Sequence, residues 1–427
     1  MSQSPSLIND CFLHDKDRLR HGEVVELIVE RLHRIVDTED VRLDSALGRY
    51  LAESVTAPRN VPLHDNSAVD GYAFTHADYA KQQTLAVGAR IPAGEANPPA
   101  LVQGTAARIF TGAVMPPNAD CVAMQEDCGL SEDGTEVTIP AGLRPGANRR
   151  LAGEDVKAGD DLLSLGQRLR PQDIAALASL GRANVGTYRR LKVAIVSTGD
   201  ELVEPGQTDA LERGQVFDSN RHMIASLCAG LPVELTDVGI LRDDEDNIAD
   251  ALSKVAADHH VILTTGGASR GEEDHIVTTI DRLGKRHLWQ IAIKPGRPMT
   301  FGQVGNCVFL GLPGNPVAAF VCFLLYCYPA MRLLGGGRHK EPQRFRIPAG
   351  FAIEKKKPDR RELVRGWLEP DDSGAMVARK FRHDGSGLIS GLRSADGLIE
   401  LDEQTVSVEQ GDPVTYIPLS QFGISLR

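Results

Sequence analysis

Residues 261–274 read Val-Ile-Leu-Thr-Thr-Gly-Gly-Ala-Ser-Arg-Gly-Glu-Glu-Asp, and a helical pattern follows from His275 to Leu283. An apolar run that leads into a glycine-rich loop and then into a helix is half of a βαβ unit. In open α/β sheets, ligands bind beyond the carboxyl ends of the strands, where such loops lie. The loop amides suit an anion and the carboxylates suit a hard cation, although a solvated acidic loop has the same composition.

The alternation of apolar runs and helical patterns continues on both sides of this stretch. Strand-like runs start at Leu191 and Glu234, and another covers Leu288–Ile293 before a β-hairpin. We therefore predict an α/β multidomain protein in which residues 188–338 form a doubly wound, mostly parallel sheet domain. The apolar segment Ala318–Leu334 is short for a bilayer and contains an arginine, so we predict a buried helix.

The remaining regions have different patterns. Residues 1–56 have helical periodicity, and a further helix from Pro171 to Gly181 marks a return to this unit, so 1–56 and 146–187 are predicted to form a helical or mixed N-terminal domain. Residues 57–145 contain short alternating runs divided by Gly/Pro turns, which predicts an inserted small β domain. Residues 339–427 repeat that pattern, which predicts a C-terminal β-barrel domain with a basic surface that either binds anions or is simply solvated.

Three successive strands of the predicted sheet end in acidic residues. These are Asp200 and Glu201, Asp243 and Asp244, and the acids of 272–274. If the strands are neighbours, the acids converge on one edge, although each of them alone could cap a helix. Lys294 and Arg297 should approach the same edge, and acids that hold Mg²⁺ beside bases that hold oxyanions form a site for phosphate chemistry.

Composition excludes several classes of protein. A formal net charge of −11 argues against a general nucleic-acid or anionic-membrane binder. The chain has neither a Walker A lysine motif nor a G-x-G-x-x-G after a strand, which disfavours P-loop NTPases and dinucleotide dehydrogenases. Its seven cysteines form no zinc-type cluster, and the acidic N-terminus has no signal-peptide core, so we predict a cytoplasmic protein.

A set of motifs in a fixed order now indicates a family. In chain order they are Asp65-Asn-Ser-Ala-Val-Asp-Gly-Tyr-Ala73, Phe110-Thr-Gly-Ala113, Ser197-Thr-Gly-Asp-Glu-Leu202, Arg242-Asp-Asp244, the loop of 266–274, Ile293-Lys-Pro-Gly-Arg-Pro298, Gly311-Leu-Pro-Gly-Asn-Pro316 and Asp384-Gly-Ser-Gly387. Over nearly its whole length, the chain resembles the molybdopterin molybdenumtransferases, the family of MoeA and the gephyrin E domain.

The resemblance implies a reaction and an assembly. Adenylylated molybdopterin and molybdate are the expected substrates, molybdenum cofactor and AMP the products, and Mg²⁺ the cofactor. The resemblance also implies four domains and a homodimer whose active clefts lie between the sheet domain of one subunit and the β domain of its partner. The molybdopterin adenylyltransferase and apo-molybdoenzymes are expected partners.

The resemblance also implies roles for individual residues. The expected catalytic residues are Asp70, Thr111, Glu201, Asp243 and Asp274, of which Asp243, Asp274 and Glu201 are also the expected Mg²⁺ ligands. Asp70 and Thr111, which without the resemblance would be ordinary turn or cap residues, match polar positions of the shared cleft together with Arg150 and Asp155. Lys294, Arg297, Arg360 and Ser386 resemble an oxyanion pocket for molybdate, and the further expected substrate-binding residues are Ser269, Pro313 and Asn315.

Four positions depart from the family pattern. Arg297 stands where lysine is common, Gln290 where some relatives have lysine, Ala318 where serine is frequent, and Asp359 where glycine is usual. Two alternative functions predict other features of the sequence. A molybdopterin adenylyltransferase would be a short chain with a Gly-Gly-Thr-Gly type loop, and a non-enzymatic cofactor carrier or scaffold would have additional linker and adenylyltransferase regions.

Overall fold

The computed structural model describes residues 18–266 and 275–424, and its first element is the predicted N-terminal amphipathic helix. Val24 and Ile28 are fully buried on this helix, and Leu32 follows directly after it at 1% exposure. These side chains join the largest hydrophobic core of the protein, which explains the three- and four-residue spacing of the sequence. The elements up to residue 56 are α1 (His21–Arg31), β1 (Thr38–Arg42), a 3-10 turn (Leu43–Ser45) and β2 (Val55–Thr56).

The next region is built on a six-stranded sheet. Side chains alternate between its two faces, so that Tyr72 and Phe74 enter one small core while Ala73 enters another. The elements are β3 (Asn66–Ser67), β4 (Gly71–Phe74), α2 (His76–Tyr79), β5 (Thr84–Ile91), β6 (Thr105–Ile109), β7 (Cys121–Met124), a 3-10 turn (Gln125–Asp127), β8 (Gly129–Leu130) and β9 (Glu136–Thr138). The strand order is β7-β4-β6-β5-β9-β8.

After this sheet the chain returns to its first part. The elements are β10 (Arg149–Arg150), β11 (Asp161–Leu163), α3 (Pro171–Ser179) and β12 (Asn184–Tyr188). Strand β12 pairs antiparallel with β1, and β11 pairs antiparallel with β2. Leu51 and Val55 therefore share a core with Leu177 and Val185, which makes the six-stranded sheet an insertion between two halves of one unit.

The central sheet has the order β16-β13-β17-β21-β20-β18. Its elements are β13 (Leu191–Thr198), β14 (Leu202–Val203), β15 (Val216–Phe217), α4 (Ser219–Cys228), β16 (Val233–Leu241), α5 (Glu245–Asp258), β17 (Val261–Thr265), α6 (His275–Leu283), β18 (Gly284–Gln290), β19 (Ile293–Lys294), β20 (Pro298–Val304) and β21 (Cys307–Leu312). Ile195 and Leu263 face one core, whereas Val196 and Ile262 face the other, so both faces are covered as a doubly wound fold requires.

The sheet is mixed rather than parallel throughout. Strands β16, β13, β17 and β21 run parallel, whereas β20 is antiparallel to β21 and β18 is antiparallel to β20. The strand predicted at Leu288–Ile293 lies earlier in the chain, since β18 covers Gly284–Gln290 and starts directly after α6. Helix α6 and β18 follow one another without a loop, and β18 pairs with the hairpin strand β20 rather than with a parallel strand.

The apolar segment after β21 forms one continuous buried helix. It consists of α7 (Pro316–Cys322), a π-helical turn (Phe323–Cys327) and α8 (Tyr328–Leu334). By length and composition Pro316–Leu334 could cross a membrane, but 83% of its most apolar window is buried inside the protein. The prediction of a core helix is therefore confirmed, and α1 and α4 pack around it.

The C-terminal part forms another six-stranded sheet, of order β19-β23-β25-β26-β22, with β24 paired to β23. Its further elements are β22 (Phe345–Pro348), β23 (Arg361–Pro370), β24 (Met376–Lys380), α9 (Ile389–Arg393), β25 (Gly397–Leu401), β26 (Pro413–Pro418) and a 3-10 turn (Leu419–Phe422). A single bridge between Ala349 and Ala378 joins the end of β22 to β24. The closed barrel expected from the sequence stays a prediction, but β19 ties this sheet directly to the central domain.

Candidate active site

A cavity of about 580 Å³ lies beyond the carboxyl ends of β17 and β21. These strands are parallel neighbours, so the loops that follow them meet at one edge of the sheet. The cavity is lined by Gly266, Lys294, Pro295, Gly296, Arg297, Pro298, Pro313, Gly314, Asn315, Ala318, Asp384 and Ser386. Five of the residues singled out in the sequence are thus brought together, namely Lys294, Arg297, Pro313, Asn315 and Ser386.

The turn of residues 294–297 forms one wall of this cavity. Its Lys294–Pro295 peptide is cis, and Gly296 has a φ of +105°. A Cβ on Gly296 would lie 2.4 Å from the Sγ atom of Cys322, so only glycine fits against α7 here. The Cys322 thiol also lies 3.4 Å from the Gly296 carbonyl oxygen. The backbone that carries Lys294 and Arg297 is therefore held against a buried helix.

The opposite wall joins the central domain to the C-terminal sheet. The Asn220 side-chain amide donates to the Gly314 carbonyl at 2.6 Å, and the Val317 amide donates to the Ser386 carbonyl at 3.0 Å. The second bond fixes Ser386 at the cavity, although Ser386 is far in sequence from the turn of residues 294–297. Ala318 also lines this wall, so the serine-to-alanine departure removes a hydroxyl from inside the cavity.

The charges of the cavity are mixed, with an excess of cations. Arg297 is exposed and has no ion-pair partner among the residues of 18–266 and 275–424. Asp384 is an acidic lining residue, and its Oδ1 atom lies 3.4 Å from the Lys380 ammonium, which partly compensates its charge. Lysine, arginine and serine donors around a concave space can hold an oxyanion by charge-assisted hydrogen bonds.

A second cavity, of about 330 Å³, lies across the same turn. Its lining residues are Arg18, Ile293, Lys294, Pro295, Gly296, Arg297, Lys357, Pro358 and Arg360. The family resemblance implied one oxyanion pocket for Arg360 and Ser386, whereas the structure puts them in adjacent cavities that share Lys294 and Arg297. Asp359 has a φ of +59°, a conformation that glycine adopts readily, so its replacement of the usual glycine preserves the local backbone.

Glu362 belongs to this site, although its sequence context does not indicate it. It is 8% exposed, and its carboxylate accepts hydrogen bonds from Arg360 at 2.8 and 3.0 Å and lies 3.4 Å from the Lys294 ammonium. Nothing in the sequence pairs it with Lys294, which lies in another domain. The only signal is an acid at the start of a strand, directly after two arginines.

Acidic residues meet where β13 and β16 end. The Asp200 amide donates to the Asp243 carboxylate, and the Asp243 amide donates to the Asp200 carboxylate, both at 3.3 Å. The predicted convergence of these acids is confirmed for this pair, because β13 and β16 are neighbours. Glu201 is exposed in the following loop, and its carboxylate lies over Gly199.

The rest of the predicted metal site lies outside the part of the chain that the structure describes. Asp274, one of the three expected ligands, and Ser269 both belong to 267–274. Among the described residues, no group of three or more acids, histidines or cysteines could hold a metal ion. The oxygen-only donors of Asp243 and Glu201 fit a hard cation such as Mg²⁺. The metal assignment therefore remains a prediction.

The predicted cleft residues of the β domain are held by their own contacts. Thr111 donates from its amide and its hydroxyl to the Oδ1 atom of Asp70, both at 2.7 Å. These two bonds hold the pKa of the Asp70 carboxyl below its ordinary value, with the backbone bond the larger cause. Pairing of Gly71 with Ile109 between β4 and β6 brings the two residues together.

Arg150 and Asp155 are both exposed. Strand β10 places Arg150 opposite Asn66 of β3, and the Asp155 amide donates to the Val61 carbonyl. None of the described residues that line the two cavities comes from 57–155. Within one chain, the cationic cavities and the predicted β-domain residues are therefore separate sites.

Comparison with known protein families matches almost the whole chain in three consecutive segments. The MoeA N-terminal region (domain I and II) matches residues 19–181, a probable molybdopterin binding domain matches 194–333, and the MoeA C-terminal region (domain IV) matches 348–419. The unmatched stretches between them lie after α3 and after α8. The second segment contains the central sheet, except for the first three residues of β13, together with Lys294 and Arg297.

Individual relatives agree with this result. A molybdopterin molybdenumtransferase of Haemophilus influenzae is 38% identical over 396 residues, which cover 92% of this chain and 97% of that protein. One from a Nostoc species is 39% identical over 324 residues, with coverage of 74% and 73%. The crystal structure of a molybdopterin biosynthesis moeA protein from Pyrococcus horikoshii superposes with a TM-score of 0.78 at 29% identity, and covers 94% of this chain and 99% of that chain.

Proposed function

The chain belongs to the molybdopterin molybdenumtransferase family, and on this premise we propose that it inserts molybdate into adenylylated molybdopterin with release of AMP. One observation carries the proposal. The cavity beyond β17 and β21 combines Lys294, Arg297 and Ser386, which are the donors that a tetrahedral dianion needs. These residues come from two domains, and the family relationship supports the assignment of molybdate to this cavity.

The residues of the cavity have separate tasks in this proposal. The ammonium of Lys294, the guanidinium of Arg297 and the hydroxyl of Ser386 bind molybdate. Arg360 extends the cationic surface into the adjacent 330 Å³ cavity. Pro313 and Asn315 shape the wall where the organic substrate meets the oxyanion. Ser269 is assigned as a further substrate-binding residue.

We assign the acidic edge of the sheet to Mg²⁺ and to the nucleotide side of the substrate. Asp243, Asp274 and Glu201 would hold the ion, which when bound neutralises pyrophosphate charge and favours departure of AMP. Because molybdate is an anion, the acids and the cations must act on different parts of the substrates. Asp274→Asn is expected to lose Mg²⁺-dependent turnover with the fold intact, and an unchanged rate at saturating Mg²⁺ would remove this assignment.

We also propose that the active protein is a homodimer with clefts shared between subunits. Asp70, Thr111, Arg150 and Asp155 line neither cavity of their own chain, which supports a role at the cavity of the partner. Heterodimers of Asp70→Ala and Asp274→Asn subunits would then contain one cleft free of both changes and recover activity. Verified heterodimers with no recovered activity would instead indicate a cleft within one subunit.

The activity itself is tested with purified protein, adenylylated molybdopterin, molybdate and Mg²⁺. AMP release and formation of cofactor that activates an apo-molybdoenzyme should occur together and require molybdate. A chain that only adenylylates molybdopterin, or only carries the finished cofactor, would produce neither result. We further propose a cytoplasmic protein that receives its substrate from the adenylyltransferase and passes cofactor to apo-molybdoenzymes, without nucleic-acid or membrane partners.

Arg297→Ala separates the two substrate sites. A charge-assisted bond from arginine contributes about 1.5–3 kcal/mol, so molybdate should bind about tenfold to a hundredfold more weakly. Adenylylated molybdopterin should bind with little change, because its pyrophosphate is assigned to the acidic side. Titration of each substrate at a fixed concentration of the other measures both affinities, and equal losses would mean that one mixed anion site serves both.

A further inference from the structure

Glu362 contacts two cations that line the cavities: Lys294, which lines both, and Arg360, which lines the smaller one. Strand β19 pairs in parallel with β23, and this register places Lys294 opposite Glu362. One carboxylate oxygen, Oε2, lies 3.4 Å from the Lys294 ammonium. The other, Oε1, accepts hydrogen bonds from the Nε and Nη2 atoms of Arg360 at 3.0 and 2.8 Å. A single buried carboxylate therefore connects two side chains that face the cavities.

Neighbouring cations compensate the buried carboxylate of Glu362. It is 8% exposed, and a buried carboxylate is stable only when ion pairs or hydrogen bonds replace the water it has lost. A third cation, the buried ammonium of Lys356, lies nearby and donates to the carbonyl oxygen of Arg360 at 2.7 Å. The cations thus stabilise the carboxylate, and the carboxylate in turn limits the rotamers of Lys294 and Arg360.

We propose that Glu362 is a positioning residue for the oxyanion substrate, which holds Lys294 and Arg360 in the orientations that receive molybdate. The inference rests on the proposed function and adds to it a residue that never touches the substrate. Without Glu362, both long side chains must lose their rotamer freedom when the anion binds, and each immobilised side chain of this kind lowers affinity severalfold.

Removal of Glu362 also has an effect that would strengthen molybdate binding. Glu362 also neutralises positive charge, so its removal raises the local potential and attracts anions more strongly. A residue that acts only through its charge would therefore give tighter molybdate binding when it is neutralised. A residue that acts by positioning gives weaker binding, so the direction of the change distinguishes the two roles.

The test compares Glu362→Gln with Glu400→Gln. Glu400 is a matched control because it is 7% exposed, lies on the neighbouring strand β25 and pairs with two arginines, Arg344 and Arg361, but lines neither cavity. Both substitutions remove one buried charge from the same sheet. Thermal unfolding measures their structural cost, and calorimetric titration with molybdate measures anion affinity in the full-length protein.

We expect the dissociation constant for molybdate to rise roughly fivefold to a hundredfold in Glu362→Gln. In Glu400→Gln it should stay within about twofold of the unmodified protein, whatever its loss of thermal stability. The KM for molybdate should follow the dissociation constant, while the KM for adenylylated molybdopterin should not. Glu362→Asp, which keeps the charge on a shorter stem, should restore part of the affinity.

Each other outcome has a definite meaning. Tighter or unchanged molybdate binding in Glu362→Gln overturns the positioning role, and so does an equal loss in Glu400→Gln, which would indicate a general effect of destabilising the sheet. If the unmodified protein binds molybdate but releases no AMP, the proposed function fails and the binding comparison still decides the role of Glu362. If the unmodified protein binds no molybdate, both proposals fall.

Discussion

Replacing Gly296 by alanine tests whether the cationic turn depends on its contact with α7. The φ of Gly296 is +105°, and a Cβ there would lie 2.4 Å from the Cys322 Sγ atom and 3.2 Å from the Ile293 Cδ1 atom. Cys322 is fully buried, so it has little room to move away. The unfavourable backbone conformation costs about 1–3 kcal/mol, and the overlap adds about 1–3 kcal/mol.

Two further variants separate these contributions. Gly239→Ala is the control for the cost of the backbone conformation, because Gly239 of β16 has a φ of +90° and nothing lies within 4 Å of its Cβ position. Gly296→Ala in a Cys322→Ala background removes the nearest obstructing atom. In this background the destabilisation caused by steric overlap should disappear, whereas the cost of the unfavourable backbone conformation should remain. A double-mutant cycle measures the difference.

Denaturant unfolding and molybdate titration supply the measurements. Gly296→Ala should lower the free energy of unfolding by about 1–3 kcal/mol more than Gly239→Ala, and Cys322→Ala should recover that difference. Molybdate affinity should fall only in the Gly296 variant, because its turn carries Lys294 and Arg297. Equal destabilisation at both glycines, or no recovery in the Cys322→Ala background, would refute the steric argument.

Three other changes have defined outcomes. Thr111→Val removes one of the two hydrogen bonds to Asp70, so the pKa of that carboxyl should rise towards its ordinary value in an NMR titration; an unchanged pKa would mean that the backbone bond alone sets it. Burial lowers the pKa of His21 to about 4 from an ordinary 6.5. In the pH range between these two values, His21 therefore binds a proton in the unfolded chain but not in the folded chain. The free energy of unfolding should fall by about 3 kcal/mol as pH drops through this window, and His21→Asn should flatten the profile measured by urea unfolding. Asp359→Gly should leave molybdate affinity unchanged in the same titration, because glycine accepts the φ of +59°; a loss would show that the Asp359 side chain itself supports Arg360.

Local patterns predicted most of the elements correctly. The spacing of Val24, Ile28 and Leu32 gives α1 its buried face, and Pro171 starts α3 where a proline is expected. These features depend on residues within one or two turns of each other, so they can be recognised without the partner element. The apolar segment Ala318–Leu334 also predicts a core helix from local sequence, because it is short for a bilayer and contains an arginine.

Predictions that depended on strand order succeeded only in part. The acids were expected to meet if their strands are neighbours, and Asp200 and Asp243 do meet because β13 and β16 are neighbours. The strand expected at Leu288–Ile293 starts instead at Gly284 and runs antiparallel, because it pairs with the hairpin strand β20. An apolar run reveals that a strand exists, but its direction depends on which neighbour it meets.

The sequence by itself determined the family, the helices and strands with strong periodicity, and the residue types that can bind an oxyanion. Tertiary structure alone decided which of them share a cavity. Ser386 lines the same cavity as Lys294 through its bond to Val317, Arg360 lies across the turn, and Glu362 reaches Lys294 through the pairing of β19 with β23. Such contacts join residues more than sixty positions apart, so they arise from the packing of two domains and leave no local pattern in the sequence.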